Sequence, residues 1–158
     1  MQFRTTIRLA ACLVLCVGVG AVQGAVTRPE IAGWYGTLRK PSWTPPSSLF
    51  PIAWSVLYIL MAVALWRLWE KAAPSPARNW AIGLFLVQLA LNAAWSPLFF
   101  GAHATRAALI DIMLLLAAIA VTMIASARVD RVAAWLLAPY LAWVAYAATL
   151  NGGIVWMN

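Results

Sequence analysis

The sequence predicts an all-α integral membrane bundle of five transmembrane helices, and three observations carry that prediction. Of 158 residues, 65% are hydrophobic and only 9% are charged, whereas a soluble domain needs about 25% charged residues to cover its surface. The mean hydropathy is +0.85. Five apolar stretches, each near the ~20 residues that cross a bilayer, follow one another along a chain long enough for a single domain, residues 1–158.

The first span is expected at about 7–26. Arg4 and Arg8, an apolar core and then Ala21-Val22-Gln23-Gly24-Ala25 also suit a secretory signal with a small-residue cleavage site. The apolar stretch is long for a signal core, and small residues equally suit tight helix packing, so a retained helix is preferred. Cys12 and Cys16 lie four apart on this segment. They suit no disulfide framework or metal-ligand spacing and are read as small apolar filler.

A long connection, 27–48, comes next. Pro41, Pro45 and Pro46 restrict φ and remove three backbone donors, so the loop is expected to be stiff and extended rather than helical. The second span is expected at 49–69. The third, 80–100, follows a linker holding Pro74 and Pro76. The fourth is placed at 105–125 and the fifth at 132–154.

The net charge of +7 comes from basic residues set singly or in pairs at the ends of apolar runs. That pattern suits membrane topology and headgroup contact, and argues against nucleic-acid binding. Arg4, Arg8, Arg67, Lys71, Arg78, Arg128 and Arg131 fall on one side, and Arg28, Arg39, Lys40 and Arg106 on the other. The majority places the N-terminus on the cytoplasmic side of a simple inner membrane; an outer membrane would change the meaning of that orientation.

Ten tryptophans are far more than a chain of this length usually holds. Trp66, Trp69, Trp80, Trp135 and Trp156 fall at membrane boundaries, where indole is at home among headgroups. Trp54, Trp95 and Trp143 lie deeper when position is converted to depth at ~1.5 Å per residue. Each belongs to a stripe at helical spacing: Trp54, Tyr58 and Met61; Gln88, Asn92, Trp95 and Phe99; Tyr140, Trp143, Ala147 and Asn151. Amides in hydrocarbon are costly unless paired, so Gln88 and Asn92 are expected to face a partner helix or a cavity. Any one of these residues alone suits plain interhelical packing equally well. Three stripes at one depth favour a shared pocket, with Ala147 leaving room for something flat.

The first connection is the expected lid. Trp34-Tyr35, Trp43, and the cations Arg28, Arg39 and Lys40 suit an aromatic anion, stacked on indole and met at the rim by positive charge. The alternative is an interfacial loop whose cations meet lipid phosphates.

These residues carry a resemblance. Trp34-Tyr35, Lys40-Pro-Ser-Trp-Thr-Pro-Pro46, Pro51-Ile-Ala-Trp54, Gln88 through Asn92 to Trp95-Ser-Pro97, and Pro139-Tyr-Leu-Ala-Trp143 with Ala147 to Asn151 closely resemble the translocator protein family. Its bacterial members are called tryptophan-rich sensory proteins and its mitochondrial ones peripheral-type benzodiazepine receptors. The resemblance implies a retained first helix and a five-helix bundle, commonly a homodimer, that binds protoporphyrin IX and benzodiazepine-type ligands. Matched by motif, the family's pocket falls on Trp34, Trp43, Trp54, Tyr58, Asn92, Trp95, Trp143, Ala147 and Leu150.

Two positions depart from the family pattern. After Leu150 the tail Asn-Gly-Gly-Ile-Val-Trp-Met-Asn158 has no Tyr, Lys or Arg, which argues against cholesterol binding through the family's sterol motif, itself a weak pattern. Gly83 has no glycine partner at position 87, where Val87 stands, so the third span lacks a Gly-xxx-Gly dimer signal.

No catalytic constellation is visible, and no metal or obligatory cofactor is expected. His103 is read as a solvated loop residue, and no residue pair is placed to hold a haem iron from both faces. Porphyrin is therefore expected as a ligand. Asp111, an acid inside a span, is by default a functional candidate, but is read as making a capping or interhelical hydrogen bond near the membrane edge. Three functions fit: a porphyrin-binding sensor adjusting tetrapyrrole metabolism or a stress response, a carrier of porphyrin or another small apolar molecule, and a slow light-dependent porphyrin oxidase using Trp54 and Trp143. A carrier usually shows internal repeats, and only the echo of Trp43-Thr44-Pro45 in Trp95-Ser96-Pro97 is present.

Overall fold

A computed structural model describes residues 2–158, except the side chain of Gln2. Its helices are α1 (Gln2–Ala32), α2 (Trp34–Thr37), α3 (Leu49–Glu70), α4 (Pro76–Ser96), α5 (Thr105–Ala127), α6 (Arg131–Leu136) and α7 (Ala138–Met157). Five helical stretches are long and apolar enough to cross a membrane, and the protein is an integral, multi-pass membrane protein. Neighbours in the bundle are α1 with α3, α3 with α6, α5 with both α4 and α7, and, through a smaller contact, α1 with α4.

The ends of these helices follow from local chemistry. α4 starts at 76 rather than 80 because Ser75 accepts the Arg78 amide at 3.2 Å and Pro76 occupies the first turn, where its missing N–H costs nothing. α6 is capped by Asp130, whose Oδ1 accepts the amides of Val132 and Ala133 at 2.9 and 3.0 Å. The expected fifth span is split at Leu137, since Pro139 cannot donate to the carbonyl one turn back. Pro97 does the same to α4. The chain widens there into a π turn, Pro97–Gly101, closed by the Ala102 amide on the Pro97 carbonyl at 2.8 Å.

The first span runs well past the expected 7–26. α1 continues to Ala32 through Pro29, which forgoes its own amide bond to the carbonyl one turn back, that of Ala25. The connection is correspondingly shorter than 27–48, and it is not wholly extended, since residues 34–37 form a helical turn. Only the Pro-rich part behaves as expected.

Close approach of α1 and α3 depends on Gly20. A Cβ there would lie 2.5 Å from the Tyr58 ring. Cys12 and Cys16 are buried free thiols in the same interface. At one end of the bundle two ion pairs tie the elements together, Arg8 to Glu70 at 2.7 Å and Arg67 to Asp130 at 3.0 Å.

Candidate functional site

A cavity lies inside the ring of helices. It is lined by Gln23 of α1, Phe50 and Trp54 of α3, Asn92 and Trp95 of α4, Ile112 and Leu115 of α5, and Trp143, Val144 and Ala147 of α7. The stripe logic holds at this level, because Trp54, Asn92, Trp95, Trp143 and Ala147 come from three helices to one space. Phe50 meets Trp143 edge-on at 5.8 Å. Trp54 stacks on Tyr58 at 5.5 Å. Trp95 stacks on Phe99 at 4.9 Å and donates its indole N–H to Asn151 Oδ1 at 3.2 Å. Asn151 in turn donates to the Thr105 carbonyl at 2.9 Å, which fixes the amide and with it the Trp95 ring. The Trp143 indole N–H is buried and has no partner among the described residues.

The polar corner of the cavity is a network between three helices. Gln23 Nε2 donates to Tyr58 Oη at 2.6 Å and to Asn92 Oδ1 at 2.8 Å. Tyr58 Oη donates to the same Asn92 oxygen at 2.6 Å, and Ser96 Oγ donates to Gln23 Oε1 at 2.9 Å. Both hydrogens of the Gln23 amide and both lone-pair sites of the Asn92 oxygen are thus engaged. Sequence reasoning missed Gln23. The available signal was the same one that flagged Gln88, an amide within an apolar span.

Other candidate residues lie elsewhere. Tyr58 is buried beside Trp54 and reaches the cavity through Gln23 and Asn92. Gln88 is 1% exposed, and neither of its amide atoms has a hydrogen-bond partner. It faces inward, as expected, but does not line the cavity. Leu150 is buried but also outside the lining. Asp111 lacks the hydrogen bond expected of it: its Oδ2 is buried without a partner. It lies on the inward stripe of α5, one residue from Ile112 and one turn from Leu115.

The connection is arranged differently from a simple lid with inward tryptophans. Trp34 stacks on His103 at 4.1 Å and meets Phe99 edge-on at 5.6 Å, because the helical turn 34–37 folds it against the π turn. His103 is an exposed loop residue, as expected, with Nε2 3.0 Å from Glu30 Oε2. Trp43 is 54% exposed and packs outside α7, donating to Thr149 Oγ1 at 3.3 Å while its carbonyl accepts from Tyr146 Oη at 2.7 Å. Arg39 and Asn158 exchange two hydrogen bonds at 3.0 Å, backbone to side-chain amide, and the Pro41 ring packs directly on Gly153.

The rim cations are also redistributed. Lys40 turns back on its own loop, donating to the Leu38 carbonyl at 2.9 Å and lying 4.8 Å over the Tyr35 ring. Arg28 sits on the exposed face of α1, since that helix runs on through it, and Arg39 is exposed beside the α7 terminus. Of the expected boundary tryptophans, Trp69, Trp80, Trp135 and Trp156 are exposed. Trp66 is half-buried against the core, under the Lys71 ammonium.

The cavity is small, about 40 Å³, where pockets for drug-sized ligands span ~300–1,000 Å³. Occupation by anything flat and bulky requires the helices or the connection to move outward.

Comparison with known proteins matches residues 12–157 to the model of the TspO/MBR family. The chain is 44% identical over 151 residues to the tryptophan-rich protein TspO of Chlorobaculum tepidum, covering 95% of each chain. It is 40% identical over 144 residues to the human translocator protein, covering 90% of this chain and 82% of that one. It is 38% identical over 143 residues to the tryptophan-rich sensory protein of Cereibacter sphaeroides, covering 90% and 84%.

Proposed function

The chain belongs to the TspO/MBR family, and from that premise we propose that it is a membrane receptor sensing protoporphyrin IX or a related tetrapyrrole within its helix bundle. The observation that carries this reading is the convergence of Trp54, Trp95 and Trp143 with Phe50 around one cavity, whose polar corner is Gln23 and Asn92. Flat aromatic walls suit a macrocycle, and offset or edge contacts with indole favour it beyond simple burial. Benzodiazepine-type ligands, aromatic and compact, suit the same walls. Regulation of tetrapyrrole metabolism or of a stress response would follow from occupancy, and a homodimer is part of the same proposal.

Binding on this reading is coupled to opening. The cavity expands as the Pro-rich connection lifts from α7, which breaks the Arg39–Asn158 exchange and the Trp43 contacts. The test is quenching of tryptophan emission by protoporphyrin IX in purified protein in the dark. Saturable quenching at micromolar porphyrin, weakened at least tenfold in a Trp95→Ala variant, is expected. Absence of saturation up to the porphyrin solubility limit would refute the receptor.

A light-dependent oxidase remains a second reading, favoured by Trp54 and Trp143 both lining the cavity. Repeating the titration under illumination separates the two, because porphyrin absorbance is lost faster than in a protein-free control only if chemistry follows binding. Unchanged loss in both Trp54→Phe and Trp143→Phe would exclude these indoles as electron donors. Carriage of porphyrin across the membrane is addressed by flux into proteoliposomes.

A further inference from the structure

A second cleft opens outside the helix ring, where the end of α5 meets α6. Met123, Ile124, Ala127, Arg131, Ala134 and Trp135 line it, around about 450 Å³. Five of the six are apolar and one is a cation. Because the chain crosses a membrane, the cleft faces lipid near the bilayer edge, and Trp135 is 74% exposed there.

Among the described residues, Arg131 has no counter-charge. The adjacent Asp130 is fully used: Oδ2 pairs with Arg67 at 3.0 Å, and Oδ1 caps the first amides of α6. Glu70, the other acid at this end, is held by Arg8 and by Thr5 at 2.6 Å. The remaining acids are Glu30, paired with His103 at the opposite end, and the buried Asp111. Among the described residues, Arg131 is thus left without an acidic partner in the lining of an apolar groove. That combination is complementary to a molecule with an anionic head and a hydrocarbon tail.

We propose that the α5–α6 cleft binds an anionic phospholipid, its phosphate on Arg131 and an acyl chain along Met123, Ile124 and Ala127. The guanidinium presents paired donors to phosphate oxygens, and the groove leads from Arg131 at the membrane edge back along α5 toward the bilayer interior. Trp135 lies beside the glycerol region, the depth that indole prefers.

The test uses the full chain in phosphatidylcholine nanodiscs containing phosphatidylglycerol, with brominated acyl chains placed on one lipid or the other at equal mole fraction. Trp135 emission is read as the difference between wild type and W135F. Brominated phosphatidylglycerol is expected to quench it in excess of brominated phosphatidylcholine, with local enrichment of about fivefold, the equivalent of the ~1 kcal/mol attributed to one cation at an anionic surface. R131Q should bring the two lipids to parity; among the described residues Arg131 has no acidic partner to lose, so helix content should not change. Equal quenching by both lipids in the wild type would overturn the proposal. So would a headgroup preference that survives in R131Q, or no quenching by either lipid, which would mean that protein, such as a second copy, covers the cleft.

Discussion

Replacing Gln23 by leucine removes three hydrogen bonds at once, to Tyr58, to Asn92 and from Ser96, while keeping nearly the same volume between α1, α3 and α4. Interhelical hydrogen bonds in a membrane protein contribute about 0.6 kcal/mol each on average, so the variant is expected to lose about 2 kcal/mol. For a chain of this size that lowers the midpoint of thermal unfolding in detergent by roughly 4–8 °C. The loss is shared with a partner, which a double-mutant cycle can show. Tyr58→Phe removes only the hydroxyl that Gln23 and Asn92 both touch, so the two substitutions overlap in the bond they delete. The double variant should be less destabilised than the sum of the singles by about 0.6 kcal/mol, with ~1.7 kcal/mol as the upper end for such pairs. Midpoints followed by circular dichroism, with the same detergent and protein concentration, give all four corners. Strict additivity within about 0.3 kcal/mol, or a Gln23→Leu midpoint equal to that of the wild type, would refute the network as described.

Two further outcomes follow from the connection. Gly153→Val puts a side chain where the Pro41 ring sits, so the loop must lift; association and dissociation of protoporphyrin in stopped-flow quenching should both accelerate severalfold, and unchanged rates would separate the loop from access. Burial pushes the Tyr35 phenol above its ordinary range near 10, so the folded protein holds that proton more tightly than the unfolded chain. The stabilisation this represents is complete below pH ~10 and is lost as pH rises through the folded value; Tyr35→Phe should remove that alkaline component from the stability profile measured in wild type.

Most of the architecture was legible because lipid leaves few choices: apolar runs of spanning length must be helices. The site was legible wherever function and burial shared a helical period, which is why Trp54, Asn92, Trp95, Trp143 and Ala147 meet. Gln23 escaped because its segment also read as a signal peptide, and attention to its cleavage-like Ala21–Ala25 run hid an inward amide. Gln88 faces inward as its helical period requires, but away from the cavity. It shares the stripe of Asn92 and Trp95, yet periodicity gives the face of a helix and not which turn of that face borders a cavity. Trp34 and Trp43 were misplaced because a Pro-rich loop has no period to read. Their positions are set by tertiary partners, His103 with Phe99 and Thr149 with Tyr146. The helix breaks at Leu137 and at Pro97–Gly101 follow from prolines that the sequence displays, but their geometry depends on how far the packing lets each helix adjust.

The π turn, Pro97–Gly101, carries two buried aromatic rings, Phe99 and Phe100. It anchors the first connection at its beginning, through Trp34 and Tyr35 on Phe99 and Phe100, while Asn158, Gly153 and Tyr146 of α7 anchor its later part. The connection is thus a strap fastened to two different walls of one chamber. Anything that pushes α4 and α7 apart from within must slacken one fastening or stretch the span between them. Separation of α4 from α7 would therefore reach the aqueous face through the short, proline-stiffened length of chain between Leu38 and Ser48.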